Sequence, residues 1–314
     1  MKAIQIQEFG GPEAFRYVDL DDPVPAEGEA LVEVVRCGVN FADTHSVRDE
    51  YLAKQTLPLV PGAEISGRTA DGRRVAALLG SGGYAQKATV PEALLVPLPD
   101  AVDDDTAAAT LLQGLTAMAL VKRCAQIQPG ETILVEAAAG GTGSLSVQIA
   151  KRAGAKVIGL ASTAEKRAFA ERLGADASVD SQAEDLGAAI REANGGERVD
   201  AVLHMSGAAF EAEMGVLAPL GRMVVFGSAS RDYAEVSTAA LMHASVSVIG
   251  FWLAQLLVRP ELVAPMVGEL LGAVAGGELE VTIGDVYPLS EAGRAHEDLV
   301  ARRTSGKLLL DPSK

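Results

Sequence analysis

Residues 131–154, ETILVEAAAGGTGSLSVQIAKRAG, decide the fold of this chain. The apolar segment 132–135 is rich in β-formers and is typical of a buried strand in a parallel sheet. Residues 137–143 have small side chains, and residues 144–151 place apolar side chains at helical spacing. This order predicts the first βα unit of a dinucleotide-binding fold, where the backbone passes close to a pyrophosphate and a helix N-terminus faces its negative charge.

The spacing of small residues in the turn matches the glycine fingerprint of such sites with one change. Ala138 takes the place of the first glycine, and Gly140 and Gly143 take the second and third places. A purely structural glycine turn is the alternative interpretation. The strand before the turn and the helix after it favour cofactor binding.

The end of the next predicted strand, 156–160, indicates which dinucleotide binds. Sites for NAD usually place an acid there, roughly 20 residues after the glycines. This chain instead has Ser162 and Thr163, followed by the cations Lys166 and Arg167. Hydroxyl groups and positive charge suit the 2′-phosphate of NADP. The alternative is that Ser162 or Thr163 caps a helix and the two cations form a solvated face.

Composition excludes several classes of function. The chain has 314 residues and a net charge of −15, which argues against nucleic acid or an anionic membrane surface as a partner. The two cysteines, Cys37 and Cys124, lie in no zinc-binding or disulfide motif. The sequence shows neither a signal peptide nor a long apolar span, so we expect a cytoplasmic enzyme.

The chain changes character along its length. Residues 1–100 are β-rich with frequent prolines and glycines, and 106–126 are expected to be helical. Strands and helices then alternate, with strands expected at 132–136, 156–160, 177–180, 199–204, 222–226 and 246–251. A long helix to about 275, a strand pair at 279–287, a helix at 290–302 and a last strand should follow. We predict an α/β chain with a doubly wound Rossmann domain at 113–254, between a β-rich domain at 1–112 and a C-terminal return at 255–314.

Several motifs in this order resemble the zinc-independent quinone oxidoreductases of the medium-chain dehydrogenase/reductase superfamily, over nearly the whole chain. The matching segments are 37–43, 57–67, 82–85, 113–117, 137–143, 173–175, 226–227 and 306–307. The resemblance implies a GroES-like substrate domain interrupted by a Rossmann domain, with the active site in the cleft between them. It also implies NADPH as cofactor and a quinone or an α,β-unsaturated carbonyl compound as substrate.

The resemblance also bears on metal binding. Zinc-dependent relatives have a cysteine where this chain has Asn40 and a histidine where it has Ala63. An amide is a poor zinc ligand and alanine is none, so we expect no metal. Without a Lewis acid, hydride transfer to an acceptor that is already easily reduced is favoured over alcohol oxidation.

Roles for individual residues follow from the same resemblance. The residues expected to bind the pyrophosphate are Ala139, Gly140, Gly141, Thr142 and Gly143, and those expected to bind the 2′-phosphate are Ser162, Thr163 and Lys166. Gln113 and Thr116 are expected to approach the nicotinamide. Further cofactor contacts are expected from residues at the strand ends, which are Ser206, Phe226, Gly227, Ser228 and Phe251. Arg302 is expected to close on the cofactor, with a solvated cation at a helix end as the alternative.

Three residues are candidates for the chemical step. Asn40 is expected to donate a hydrogen bond to the acceptor carbonyl, and the alternative is a turn asparagine. Tyr51 is expected either to line the substrate site or to act as an acid. His45 is either a proton donor or a packed surface residue.

Assembly and the choice of substrate leave further alternatives. The apolar segment 245–251 is expected to be an exposed edge strand, through which two copies would form a homodimer. Two other functions remain open: an enoyl reductase acting on a thioester-bound acyl chain, and a cofactor-binding protein without turnover. A basic patch would support the former, and Arg48 and Lys54 give only thin evidence for it.

Overall fold

The computed structural model describes residues 1–227, 229 and 233–314. The chain divides into two compact units. One combines Met1–Leu112 with Leu271–Lys314, and the other is Gln113–Leu270. Residues 255–270 therefore group with the second unit, and the return to the first begins later in the chain than the expected 255.

The structure contains fifteen strands within the described ranges. In chain order they are β1 (Lys2–Gln5), β2 (Arg16–Asp19), β3 (Glu29–Val39), β4 (Glu64–Thr69), β5 (Arg74–Leu78), β6 (Lys87–Pro91), β7 (Val96–Pro97), β8 (Thr132–Val135), β9 (Lys156–Ala161), β10 (Ala177–Asp180), β11 (Val199–His204), β12 (Leu217–Val225), β13 (Ser247–Gly250), β14 (Ile283–Pro288) and β15 (Lys307–Asp311).

The helices alternate with these strands. They are α1 (Phe41–Ser46), α2 (Asp104–Ala108), α3 (Leu111–Met118), α4 (Gly141–Arg152), α5 (Ala164–Arg172), α6 (Leu186–Ala193), α7 (Phe210–Gly215), α8 (Thr238–Ala244), α9 (Leu253–Leu257), α10 (Pro260–Ala275) and α11 (Ala292–Val300). Short 3₁₀ turns lie at Pro12–Ala14, Glu92–Leu94 and Leu289–Glu291, and a π-helical turn at Ala119–Cys124. None of the described helices is both long and apolar enough to cross a membrane.

The first unit is built around β3. Its sheet has the order β14-β15-β3-β4-β5-β7, and β6 also pairs with β3. The eleven residues of β3 are enough for β6 to pair with its first half and β15 with its second half, both antiparallel. The pairing of Leu308 with Val39 attaches the end of the chain to the N-terminal unit. Alternate residues of these strands, such as Val32, Ile65 and Leu310, form the core.

The second unit contains a parallel six-stranded sheet of order β10-β9-β8-β11-β12-β13. The strand order reverses beside β8, whose neighbours are β9 and β11. This confirms the predicted doubly wound arrangement, in which ligands bind at the carboxyl edge near the reversal. The sheet is buried by residues such as Leu134, Ile158 and Val202, as expected for a parallel sheet with covered faces.

One predicted segment is divided, and one prediction is wrong. The segment 106–126 is helical as expected, and it is divided into α2, α3 and the π-helical turn. Asp103 caps α2 by accepting from the Thr106 N–H, and the Thr110 hydroxyl donates back to the Thr106 carbonyl at 2.6 Å, a bond that competes with a regular helix. The strand pair expected at 279–287 is one strand, β14, because its partner is β15.

Candidate active site

The turn after β8 requires small residues because its backbone folds back on itself. Ala137 takes a φ of 51°, and a Cβ at position 143 would overlap the Ala137 carbonyl oxygen, so Gly143 is needed there. Helix α4 begins at Gly141, and its N-cap residue Gly140 makes no side-chain capping bond. The first N–H groups of α4 are thus not satisfied by a cap and suit an anion.

Other expected cofactor residues lie on α3 and at the carboxyl ends of neighbouring strands. A Cβ at Gly141 would lie 2.8 Å from Gln113 Cγ, so the Gln113 side chain packs directly on the turn. Thr116 lies one helical turn further along α3. Phe226 and Gly227 follow β12, and the Phe226 N–H donates to the His204 carbonyl at 3.1 Å.

Two of the remaining strand-end residues can be placed, and one cannot. Ser206 lies in the segment after β11. Phe251 follows β13, and its N–H donates to the Val225 carbonyl at 2.9 Å. Ser228 lies outside the described residues. The structure therefore brings most of the expected cofactor residues of this unit to one edge of its sheet.

The expected 2′-phosphate residues lie together after β9. Thr163 is the N-cap of α5 and accepts from the Lys166 N–H at 3.3 Å, so it does have the capping role given above as the alternative. Arg167 forms an ion pair with Asp180, N···O 2.9 Å, and donates to the Ala161 carbonyl. Contact of Ser162, Thr163 and Lys166 with a 2′-phosphate stays a prediction.

In the first unit, Asn40 lies within a buried polar network. It is the N-cap of α1, and its N–H donates to Asp43 Oδ2 at 2.9 Å. Lys307 Nζ donates to Asn40 Oδ1 and to Glu64 Oε2, each at 2.6 Å. Asn40 Nδ2 donates to the Gly38 carbonyl at 3.3 Å. Lys307 is 2 % exposed and Glu64 is fully buried, so this is an ion pair without solvent.

The network continues from Asp43 to a tyrosine and a histidine. The Tyr84 hydroxyl donates to Asp43 Oδ2 at 3.0 Å and lies 2.9 Å from His296 Nε2. Because the Tyr84 proton points to Asp43, His296 Nε2 must be the donor to the Tyr84 oxygen. Burial raises the pKa of Asp43 to about 6 and lowers the pKa of His296 to about 3, so the histidine is neutral.

The other expected catalytic residues lie beside this network in the chain. His45 is in α1, partly buried, with its ring 5.4 Å from the ring of Phe41. Tyr51 is partly buried in the turn region after α1. Arg302 follows α11, is exposed and has a φ of 55°. The structure gives each a place, and their catalytic or cofactor roles stay predictions.

The structure also brings six buried polar residues into networks, and none of them was expected from the sequence as a site residue. They are Tyr84, Lys307 and His296 in the first unit and Glu136, His204 and Glu213 in the second. A signal was present for three of them. Glu136 and His204 directly end apolar strands, and Lys307 begins one, where a charged or polar group must find a partner.

Comparison with known proteins places the whole chain. Residues 26–100 match the family model described as alcohol dehydrogenase GroES-like domain, and residues 141–269 match the model described as zinc-binding dehydrogenase. The chain is 35 % identical to a quinone oxidoreductase of Pseudomonas aeruginosa, over 99 % of both chains. It is 33 % identical to quinone oxidoreductase 1 of Escherichia coli, over 98 % of this chain and 99 % of that one.

Solved structures give the same result. The quinone oxidoreductase of Thermus thermophilus, whose structures include a complex with NADPH, is similar with a TM-score of 0.91 and 38 % identity, covering 99 % of this chain and 100 % of that one. The Escherichia coli quinone oxidoreductase complexed with NADPH is similar with a TM-score of 0.94 and 32 % identity, with the same coverage.

Proposed function

This chain belongs to the quinone oxidoreductase family of the medium-chain dehydrogenase/reductase superfamily, and we propose that it is an NADPH-dependent reductase of quinones and α,β-unsaturated carbonyl compounds that needs no metal. The observation that carries the proposal is the turn at 137–143, where Gly143 permits the close backbone approach and α4 begins without a side-chain cap. Relatives with this fold are named as quinone oxidoreductases and were crystallised with NADPH.

Choice of NADPH over NADH is supported by the end of β9. Ser162 and Lys166 offer a hydroxyl and a cation, and the segment from Ala161 to Lys166 has its one acid, Glu165, inside α5 and not at the strand end. A 2′-phosphate needs donors and positive charge, whereas a free ribose hydroxyl is usually held by an acid. Thr163 caps α5 by accepting from the Lys166 N–H, and its hydroxyl can still donate to a phosphate.

Reduced nicotinamide supplies a hydride, and a solvent proton completes the reduction of a quinone to a hydroquinone. The chain must stabilise the negative charge that develops on the acceptor oxygen. Because the Lys307 ammonium donates to Asn40 Oδ1, the Nδ2 end of the amide points away from the ammonium and is the end that can donate. The bond from Nδ2 to the Gly38 carbonyl is long, 3.3 Å, so a charged acceptor oxygen would compete well for this donor.

Independence from metal is supported by the donor set around Asn40. The carboxamide oxygen is already occupied by the Lys307 ammonium, and a divalent cation bound there would be strongly repelled by this buried charge. Glu64 is paired with the same ammonium, and Ala63 offers no ligand atom. These residues therefore do not fit a catalytic zinc ion.

A single experiment tests the proposed function. NADPH and NADH oxidation is followed with a quinone, an enone and an enoyl thioester, before and after chelator treatment, and bound metal is measured by elemental analysis. We expect NADPH-dependent reduction of the quinone that survives chelation. Activity lost on chelation would refute the metal-free mechanism. Preference for the thioester would favour the enoyl reductase, and NADPH binding without oxidation would indicate a binding protein.

The proposed partner in assembly is a second copy of the chain. β13 is an edge strand of the six-stranded sheet, and Val248 and Ile249 on it are only partly buried. Every residue of the neighbouring helix α8, all within the described part of the chain, is at least partly exposed, and Met242 on it is 75 % exposed. An open edge beside exposed apolar side chains suits pairing of two β13 strands around a two-fold axis.

A further inference from the structure

Three consecutive backbone N–H groups after β11 are held by side chains. The N–H groups of Met205 and Ser206 donate to Glu136 Oε2 at 2.6 and 3.0 Å. The Gly207 N–H donates to His204 Nε2 at 3.1 Å. Glu136 is 7 % exposed and His204 is 1 % exposed. A carboxylate that accepts two N–H bonds in a buried place fixes the backbone that donates them.

Glu136 connects this segment to the glycine turn. It is the residue between β8 and Ala137, whose φ of 51° starts the turn, and its own N–H donates to the Leu203 carbonyl at 3.2 Å. The Ala138 N–H donates to the Leu160 carbonyl of β9 at 3.0 Å. One residue thus joins two backbone segments that both carry expected cofactor contacts, the turn at 137–143 and the segment of Ser206.

The bonds of His204 determine its protonation. Because Nε2 accepts the Gly207 N–H, the ring proton must be on Nδ1, which lies 2.6 Å from Glu213 Oε2 and donates to it. Glu213 is fully buried, and it orients the imidazole from the side opposite to Gly207. The hydrogen bonds therefore run in one direction: the Gly207 N–H donates to His204, and His204 donates to Glu213.

The ligand types in this cluster also match a metal site, since one atom each of Glu136, His204 and Glu213 lie within 4.8 Å of one another. Two of these atoms already have other bonds, however. Glu136 Oε2 accepts two backbone N–H groups, and His204 Nδ1 carries the proton given to Glu213. The hydrogen bonds of Glu136 and His204 therefore give these two residues a role that needs no ion.

We propose that Glu136 and His204 are positioning residues for the dinucleotide, which hold the segment 205–207 against the glycine turn in the geometry that binds the cofactor. The inference rests on the proposed function and extends it to residues that do not themselves touch the cofactor. Glu213 acts one step further away by holding the tautomer of His204.

The test compares alanine substitutions of the glutamates at the two ends of β8. Glu136→Ala removes the acceptor of two N–H groups, and Glu136→Gln keeps an acceptor oxygen of the same shape. Glu131→Ala is the matched control, because Glu131 precedes β8 at its other end and forms a bidentate ion pair with Arg222 at 2.8 and 2.6 Å. Both alanine substitutions should lower the melting temperature, so a loss of NADPH affinity that occurs in only one of them is not explained by lost stability.

NADPH affinity is measured by fluorescence titration, and KM for NADPH and kcat by quinone reduction. We expect Glu136→Ala to weaken NADPH binding by roughly tenfold or more, the scale of a lost charged hydrogen bond, with kcat at saturating NADPH little changed. Glu136→Gln should recover most of the affinity, and Glu131→Ala should keep that of the wild type. Equal losses in Glu136→Ala and Glu131→Ala, or no loss in Glu136→Ala, would overturn the inference. A wild-type protein that does not bind NADPH would instead refute the proposed function.

Discussion

Removal of the Lys307 ammonium should have a large effect on stability. This ammonium and the carboxylate of Glu64 are 2.6 Å apart, with side-chain exposures of 2 % and 0 %. Lys307→Met leaves Glu64 charged and buried, with the Leu112 N–H at 2.8 Å as its remaining donor among the described residues, and it also removes the donor to Asn40 Oδ1. Breaking such a pair from one side typically costs about 3–5 kcal/mol, which we expect as the loss in the free energy of unfolding.

The double variant Glu64→Gln/Lys307→Met separates the value of the pair from the cost of an unpaired charge. With both charges gone, neither side chain places an ion in the apolar interior, and the amide oxygen of the new glutamine side chain can still accept the Leu112 N–H. We therefore expect the double variant to recover at least about half of the stability lost in Lys307→Met, since neutral replacement of buried pairs is often tolerated.

The measurement is urea unfolding followed by circular dichroism, with the slope checked for a change in two-state behaviour because the chain has two units. Lys2→Met is a matched control: Lys2 pairs with Asp19 at 2.6 Å, with side chains 40 % and 77 % exposed, and its replacement should change stability little. If Lys307→Met costs no more than Lys2→Met, the buried pair is not charged in the folded protein and the electrostatic argument fails.

Four other predictions concern the cofactor, assembly, pH and the chemical step. Lys166→Ala should weaken NADPH binding by about 1.5–3 kcal/mol and leave NADH nearly unchanged in parallel titrations; equal losses would make Lys166 a surface lysine. Val248→Pro removes an N–H donor from the β13 edge and should shift sedimentation from dimer to monomer, whereas a wild-type monomer at micromolar concentration would end the dimer proposal. Burial raises the pKa of Glu213 from 4.5 to about 7, so the carboxyl group stays protonated to a higher pH in the folded state than in the unfolded state. The stability that this protonated carboxyl contributes at acid pH is lost as the pH rises through about 7. The side chain in Glu213→Gln cannot ionise. The free energy of unfolding of this variant should therefore rise by about 3 kcal/mol relative to that of the wild type between about pH 5 and about pH 8, and parallel curves of stability against pH would contradict this. Asn40→Ala should lower turnover of an enone more than that of a quinone with NADPH affinity little changed, and an unchanged enone rate would leave Asn40 a structural role as the cap of α1 and the partner of Lys307.

Those parts of the fold that depend on local periodicity could be predicted from the sequence. The segment from Thr132 to Gly143 defined the βα unit because a buried parallel strand is uniformly apolar and the turn needs small residues. The helical character of 106–126 could be predicted, but its division could not, because a composition rich in alanine does not show the bond from the Thr110 hydroxyl to the Thr106 carbonyl.

The polar networks could not be predicted because their members are distant in the sequence. Lys307 is separated from Asn40 by 267 positions and Glu136 from Met205 by 69, so no local spacing relates them. A buried carboxylate at a strand end shows only that a partner must exist, and the sheet order decides which residue it is. The site residues that were predicted came from motifs, and the structure adds the residues that hold them.

The contacts of Lys307 suggest how a fold that can hold zinc in other proteins would support hydride transfer without a zinc ion. A metal ion stabilises a developing negative charge by direct coordination, which requires two or three free ligand atoms. Here Asn40 Oδ1 and Glu64 Oε2 face one fixed ammonium, so the same place carries positive charge but offers no open coordination position among these residues. In the proposed mechanism, that charge would act on an acceptor through the Asn40 amide, because an N–H bond becomes a stronger donor when the amide oxygen is held by a cation. Such assistance is weaker than coordination. It suits acceptors that need little of it, and a quinone gains aromaticity on reduction, whereas the oxidation of an alcohol would first require the loss of a hydroxyl proton.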